Sequence, residues 1–382
     1  MHSAIRLSRM VGYCRFSKTQ KTALQKRRIR IAVDAAGGDH SPADSVKGAL
    51  KAARRGGVEV ILVGPPDQIA LEIHRCGGLP EHVTVVQSRE AIREGESATN
   101  ALRRKALSSV SMAAKLVRDG KADAMVSAGS TGATSVSAMH FVGLMPGIGR
   151  PVVCVPLVGL APETILVDGG ANVDCKPHHM LSFAAIGDVY AKQVLHIDKP
   201  KVALLSTGTE RGKGSRVLKD SYSLLERSGL NFVGNVEGFD VLTGKANVIV
   251  CDGVVGNVLL KFYESLGPCF TRWVTGRLKG RPLMGPGRRV LCQMSTFTRL
   301  TRAESAGGGM LWGINGVVQI MHGNSKARHF ERAIARARQA VEANVIAELK
   351  DELATVLERC QASLESARAE PQGTQTLFAP SL

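Results

Sequence analysis

One local pattern recurs along this chain and restricts what it can fold into. A short run of aliphatic and β-branched residues ends in Asp, Ser or Gly, passes through a glycine turn and re-emerges as a helical segment. Ile31-Ala-Val-Asp34 leads through Ala-Ala-Gly-Gly-Asp-His40 to Pro42, and Ala124-Met-Val-Ser127 leads through Ala-Gly-Ser-Thr-Gly132. Thr164 to Val167 delivers Asp168-Gly-Gly-Ala-Asn-Val-Asp-Cys-Lys176, Val202 to Leu205 delivers Ser206 to Gly214, and Val248-Ile-Val-Cys-Asp252 delivers Gly253. Buried strands alternating with helices of ten or more residues predict an α/β fold with a doubly wound, mostly parallel sheet. Helices that start at such turns offer free N–H groups to an anion. Ligands of open α/β sheets lie at the carboxyl ends of the strands, so the corners are expected to converge on one composite site.

At 382 residues the chain has room for two domains or one large α/β domain. The 41 glycines and 4% aromatics suit a sheet with many strand-end loops. Lys and Arg exceed Asp and Glu by 50 to 33, a formal charge of +17 that calls for an acidic partner, a phosphate substrate or an anionic membrane. Nucleic acid is not expected as a partner, because stacking aromatics are scarce and no helix-turn-helix, zinc-finger or ribonucleoprotein pattern is present. The charge is concentrated in two places. Residues 1–29 form a basic arm without Asp or Glu, readable as a targeting or disordered extension. The second basic region, between Val254 and Arg302, includes Lys261, Arg272, Arg277, Lys279, Arg281, Arg288, Arg289 and Arg299. The eight cysteines show no C-x-x-C pair and read as reduced thiols.

The stretch from Asp168 to Lys176 is the centre of the candidate site. Its glycines let backbone N–H groups approach a ligand, Asn172 is a neutral donor and Lys176 a charged one for an anion or a developing oxyanion. Ser206 to Gly214, with Lys213, superficially echoes a P-loop, but the spacing is not G-x-x-x-x-G-K-[ST]. No Ser-His-Asp or Cys-His arrangement has convincing spacing. No metal-ligand spacing appears either, since His178 and His179 are adjacent and their rings cannot easily face one ion. Neither a metal nor a cofactor is expected.

Eight motifs, in order, carry a family resemblance: Val33-Asp-Ala-Ala-Gly-Gly-Asp-His40, Ala101-Leu-Arg-Arg-Lys105, Ala122 to Gly129 with Thr131-Gly132, Pro146-Gly-Ile-Gly-Arg-Pro151, Asp168 to Pro177, Gly234-Asn-Val-Glu-Gly238, Cys251 to Val258, and Gly313 to Val318 with His322-Gly323. Together they resemble the phosphate acyltransferase family of bacterial phospholipid synthesis, which moves a fatty acyl group from acyl carrier protein to inorganic phosphate. The family's Asn is replaced here by Ser130, and Ala106-Leu107 and Ser206-Thr207 also depart from its pattern. The resemblance implies a fold like isopropylmalate dehydrogenase and phosphotransacetylase with a protruding helical part, a peripherally membrane-associated cytoplasmic homodimer, and glycerol-3-phosphate acyltransferase as downstream partner.

The resemblance also implies roles. Lys176, Asn257 and Asn172 are the candidate catalytic residues. Candidate substrate-binding residues are Asp34, Gly37, Gly38, Asp39, His40, Arg103, Lys105, Gly129, Ser130, Thr131, Gly132, Asp168, Asp252, Asn315 and His322. Leu259, Phe262, Leu266, Phe270 and Trp273 recur at three- and four-residue steps, so residues 254–304 read as an amphipathic membrane or dimer element. The domain is expected to run over 30–345, with a closing helix to 368 and a loose tail over 369–382.

Overall fold

The computed structural model describes residues 28–92, 95–157, 160–277 and 308–369. The expectations for the basic arm up to residue 27, for the basic positions from Lys279 to Arg302 and for the tail after residue 369 lie outside these residues. In chain order the elements are β1 (Ile29–Asp34), α1 (Ala43–Arg55), β2 (Val58–Gly64), α2 (Pro66–Arg75), β3 (Val83–Gln87), α3 (Ala98–Arg104), α4 (Ser109–Arg118), β4 (Ala124–Ser127) and α5 (Thr131–Ser137). Then follow β5 (Val152–Leu157), β6 (Ala161–Val167), α6 (Pro177–Gln193), β7 (Val202–Leu205), α7 (Arg216–Glu226), β8 (Phe232–Val236), β9 (Val248–Val250), α8 (Gly253–Arg277), β10 (Gly309–Trp312), β11 (Val317–Ile320), α9 (Ala327–Glu342) and α10 (Val345–Ala369).

All the strands join one 11-stranded sheet in the order β3-β2-β1-β4-β11-β10-β5-β6-β9-β7-β8. Pairing is parallel except around the middle, where β11–β10, β10–β5 and β5–β6 are antiparallel. Three reversals leave β6, β9, β7 and β8 running opposite to β1, β2, β4 and β11. Read inward from either side, β2-β1-β4-β11-β10 corresponds to β8-β7-β9-β6-β5, so the sheet has two matching halves related by an approximate two-fold.

This reversal corrects the expectation of one shared edge. The corners after β1, β4 and β11 lie on one sheet edge, and those after β6, β9 and β7 lie on the other. The strands between them are short, three to seven residues or about 10–23 Å at ~3.3 Å per residue.

Alternation along the strands divides the core. Ile31, Val33, Val167, Val202, Leu204, Val248 and Val250 face α1, α6, α9 and α10. The other face carries two separate clusters, one against α4 and α5 and one in which Leu166, Ala203, Leu205 and Ile249 meet Tyr263 of α8. Phe183 and Phe330 are fully buried, each contributing on the order of 1.5–3 kcal/mol. Helix α1 meets α9 at Gly48, where a Cβ would collide with the Ala327 carbonyl and Phe330, so only glycine permits this crossing.

The basic triplet at 103–105 closes a helix. Two helices occupy this stretch, and Arg103 and Arg104 stand in the last turn of α3, where cations suit the negative dipole end.

Candidate active site

The chain leaves β6 through Asp168, which holds a left-handed φ of 77° that costs a non-glycine residue energy. Its carboxylate offsets that cost by gathering the loop. Oδ1 accepts from Gly170 N at 3.2 Å and Ala171 N at 2.7 Å, while Oδ2 accepts from Asn172 N at 3.0 Å and Asn172 Nδ2 at 2.9 Å. Asp168 is fully enclosed, and burial raises its pKa to about 6 in spite of these donors. Asn172 is also buried, and its amide donates additionally to the Pro151 carbonyl at 2.8 Å. Both amide hydrogens are thereby committed. Asp168 and Asn172 therefore shape the loop.

Helix α8 starts against the same loop. Gly253 N donates to the Asn172 carbonyl at 2.7 Å, and Asp252 Oδ1 accepts from Val254 N and Val255 N, both at 2.9 Å, closing the first turn. Gly170, at φ 130°, passes so near α8 that a Cβ would lie 3.2 Å from Asn257 Cβ. Asn257 is half-buried and stands directly beside the glycine loop.

Lys176 caps the next helix. His179 N donates to its carbonyl at 2.9 Å and its N–H donates back to His179 Nδ1 at 3.1 Å, leaving the Lys176 side chain exposed. Burial, with His178, Arg150 and Lys176 nearby, lowers the His179 pKa to about 4, so the ring is neutral. Arg150, half-buried and close enough to influence His179 and Cys175, adds a cation to this edge that sequence reading did not single out. Its signal was the Gly-Arg-Pro step just before β5. Burial and the carboxylates of Asp168 and Asp252 push Cys175 up to about 12 and Cys251 well above its ordinary value. Neither thiol is a nucleophile at neutral pH.

On the opposite edge the equivalent corners pack on one another. Asp34, 1% exposed, accepts from Ser127 Oγ at 2.7 Å, and Gly129 N donates to Ser127 Oγ at 3.1 Å. Burial raises the Asp34 pKa while the Ser109 and Ser127 hydroxyls pull it back. A Cβ on Gly37 would strike the Asp34 carboxylate and come 2.9 Å from Gly129 N, and one on Gly38 would lie 3.0 Å from the Gly323 carbonyl. These glycines are needed for close backbone packing, and Asp34 holds the corners together. Asp39 is exposed and His40 half-buried, with Asp39 N donating to Gly323 O at 2.8 Å. Ser130 Oγ caps α5 by accepting from Ala133 N at 3.4 Å, and Thr131 and Gly132 form the first turn.

The remaining candidates scatter. Lys105 Nζ is spent on Glu96 at 2.7 Å and the Ala91 carbonyl at 3.1 Å, so it tethers a loop, while Arg103 is exposed. Asn315 lies on the Asp168 edge, where Nδ2 donates to the Leu144 carbonyl at 2.7 Å and fixes a turn. His322 Nε2 is 3.5 Å from Glu264 Oε1, linking the Asp34 edge to α8. The expected membrane stripe divides: Leu259 and Leu266 pack on the core beside Tyr263, whereas Phe262, Phe270 and Trp273 are 61%, 53% and 57% exposed. Val254 and Val258 continue the exposed row toward the helix start.

Solved structures with a similar fold include phosphotransacetylases. One from Streptococcus pyogenes superposes with a TM-score of 0.51 at 19% identity, covering 82% of this chain and 94% of that one. Another, from Staphylococcus aureus, gives 0.50 at 17% identity over 88% and 98%. The likeness to these two structures defines the fold. A family profile described as "Fatty acid synthesis protein" matches residues 29–348. Phosphate acyltransferases of Desulfitobacterium hafniense (strain DSM 10664 / DCB-2) and Pelotomaculum thermopropionicum are 40% and 41% identical over 85% and 86% of this chain, and over 98% and 96% of their own lengths. The chain belongs to the phosphate acyltransferase family and is an acyltransferase enzyme.

Proposed function

We propose that the enzyme moves a long-chain fatty acyl group from acyl carrier protein to inorganic phosphate by direct attack on the thioester. The observation that carries this reading is the Asp168 edge: a preformed loop with Asn257, Lys176 and Arg150 around it, and thiols held protonated. Hydrogen phosphate attacks the carbonyl carbon, the C–S bond breaks as the C–O–P bond forms, and the phosphate's proton leaves on the thiol. Ionised phosphate needs little base assistance, so cations that position it and amide donors that stabilise the tetrahedral oxyanion suffice. Asn257 is the side-chain donor in this scheme, and Lys176 the neutralising cation.

The net charge of +17 suits an acidic carrier protein. The exposed row Val254, Val258, Phe262, Phe270 and Trp273 recurs at helical steps over roughly 29 Å of α8 at 1.5 Å per residue, and suits an anionic membrane surface or a second copy of the chain. Among the described residues no helix is long and apolar enough to cross a membrane. A cytoplasmic, peripherally associated homodimer that hands its acyl phosphate to a membrane glycerol-3-phosphate acyltransferase fits these features. The phosphotransacetylase fold keeps an acyl-coenzyme A donor as the second reading. Comparing kcat/KM for palmitoyl-acyl carrier protein and palmitoyl-coenzyme A, with acyl phosphate trapped by hydroxylamine, decides between them. A higher value for the coenzyme A thioester overturns the carrier-protein assignment.

A further inference from the structure

We propose that the outer face formed by the C-terminal half of α4 and the helical turn Ala138–Val142 docks the acyl carrier protein, an assignment that rests on the donor proposed above. A helix returning across a parallel sheet runs against its strands. Helix α4 therefore begins near Asp34, where Ser109 bonds that carboxylate, and ends on the Asp168 edge. Gly316 fixes that end: a Cβ there would lie 3.1 Å from Val117 Cγ1 and 2.8 Å from Val142 Cγ1. Gly316 stands just before β11, whose parallel pairing with β4 puts its first residue on the Asp168 edge.

Cations crowd this end. Lys115 Nζ stands 4.9 Å and Arg118 Cζ 5.8 Å from the centre of the Phe141 ring, and Lys121 is exposed three residues further on. Arg30 donates to the Gly120 carbonyl and so brings the start of β1 alongside, with Arg28 exposed two residues before it. Three carboxylates lie among these five cations, and two are already paired: Asp119 with Arg118 at 2.7 Å, and Asp123 with Arg30 at 3.0 Å. The third, Glu59, neighbours Arg30 across the β1–β2 ladder. The negative end of the α4 dipole accounts for Lys115 and Arg118 alone, since Lys121 and Arg28 lie outside the helix. The ring contacts hold the Lys115 and Arg118 heads on one surface, which lowers the side-chain entropy lost when a partner binds.

The face is joined to the glycine loop by continuous contacts. Phe141, Val142 and Val117 share an apolar cluster with Val153 of β5 and with Ala171 of the Asp168 loop. From Val142 the chain crosses the edge: the Leu144 carbonyl accepts from Asn315 Nδ2 at 2.7 Å, Met145 N donates to the Gly313 carbonyl at 2.9 Å, and the Pro151 carbonyl accepts from Asn172 Nδ2 at 2.8 Å. Between β11, where the face ends, and β6, which delivers Asp168, stand β10 and β5, a span of three ladder spacings or about 14 Å. Asn257 lies beside Gly170 on α8, and α8 packs on the same side of the sheet as α4. An acyl group on a flexible prosthetic arm crosses that gap while the carrier stays on the cations.

The chemistry of the face selects its partner. Its apolar residues, Met112 and Phe141, are half-buried, whereas the exposed apolar row that suits a bilayer belongs to α8. Cations fixed around one aromatic ring complement an acidic helix of a carrier protein. Palmitoyl-pantetheine presents the same thioester and arm with no carrier and no added charge, so it reports on the reacting site without the docking face.

The test uses the full chain and two double variants. Arg118→Glu with Lys121→Glu reverses the face, and Lys47→Glu with Lys51→Glu makes the same change of charge on exposed positions of α1, across the sheet. Acyl phosphate formation is followed from palmitoyl-acyl carrier protein and from palmitoyl-pantetheine in detergent, and binding of the unacylated carrier protein by calorimetry. The face variant is expected to raise KM for the carrier-protein thioester about tenfold, to weaken carrier binding by a similar factor and to flatten the dependence of that KM on salt. Its kcat/KM for palmitoyl-pantetheine and its KM for phosphate should stay at the wild-type values, and the α1 variant should match the wild type throughout. An unchanged carrier-protein KM in the face variant, or equal effects from the two variants, overturns the assignment. Lost flotation with anionic vesicles at an unchanged carrier-protein KM also overturns it and makes the face a lipid contact. Carrier binding that the face variant loses, without acyl phosphate formation by the wild type, leaves the face standing and removes the proposed reaction. Acyl phosphate formed from the carrier-protein thioester with the same KM in wild type and face variant does the reverse.

Discussion

Gly253→Ala probes the seam on which the active edge depends. A Cβ at this first position of α8 would lie 2.5 Å from the Asn172 carbonyl oxygen, 2.8 Å from Asn172 N and 3.1 Å from its carbonyl carbon. All three are backbone atoms, so no rotamer change relieves the clash. Reaching even the tightest tolerated separation of 3.0 Å moves helix and loop apart by at least half an ångström, and ordinary contact needs nearly 1 Å. That displacement stretches the 2.7 Å bond from Gly253 N to Asn172 O to about 3.2–3.6 Å, weakening it at the least and losing it at the upper end. Overpacking costs about 1–3 kcal/mol and an orphaned buried donor about 1–3 kcal/mol more. The entropic gain from Gly to Ala in the unfolded chain, about 0.4–1 kcal/mol, is too small to compensate. The net expectation is a loss of roughly 2–4 kcal/mol in urea unfolding. Because Asn257 moves with α8, kcat should fall on the order of 100-fold. A variant as stable as the wild type and fully active would show that α8 does not start against the Asn172 carbonyl.

Other perturbations test separate parts of the account. Because burial raises the folded-state pKa of Asp168 from 3.8 to about 6, the native state holds its proton more tightly, and stability falls as pH rises through that window. The stability of the wild type relative to Asp168→Asn should therefore drop by roughly 3 kcal/mol between pH 4 and 6 and level off above, at about 1.36 kcal/mol per unit; a flat difference in denaturation curves would contradict this. Lys105→Ala removes a part-exposed tether to Glu96 and should cost no more than about 1 kcal/mol, leaving KM for phosphate unchanged; a large rise in that KM would restore Lys105 as a phosphate ligand. Phe262→Glu combined with Trp273→Glu should abolish flotation with vesicles containing anionic phosphatidylglycerol without altering acyl phosphate formation in detergent. Retained flotation would remove the α8 row as the membrane contact.

The strand-end corners were legible because each is a local event. An apolar run, an Asp or Ser and a glycine turn are close in sequence, and the structure has a corner at each. Strand direction was not legible, because nothing within a run such as Thr164 to Val167 says whether β6 runs with β1 or against it. The reversal is made by the short central strands β10, β5 and β6, and it separates Gly37 and Gly129 from Asp168 and Asn257. The hydrogen bonds made by Asp34, Asp168, Asn172, Lys105 and Asn315 were not legible for a related reason. A polar residue at a corner has the same sequence signature whether it meets a ligand or a backbone N–H, and these five meet their own chain. Asn257 and Lys176, for whose side chains no such bond is described, are the donor and cation of the proposed scheme.

The most direct test of the central claim is the rate of hydroxylamine-trapped acyl phosphate formation from palmitoyl-acyl carrier protein and phosphate by the wild type and by Asn257→Ala. The account predicts product from the wild type and a fall in kcat of roughly 100-fold or more in the variant, with an unchanged melting temperature. Equal rates from the two proteins would contradict it, because the Asp168 edge would then not be where the thioester reacts.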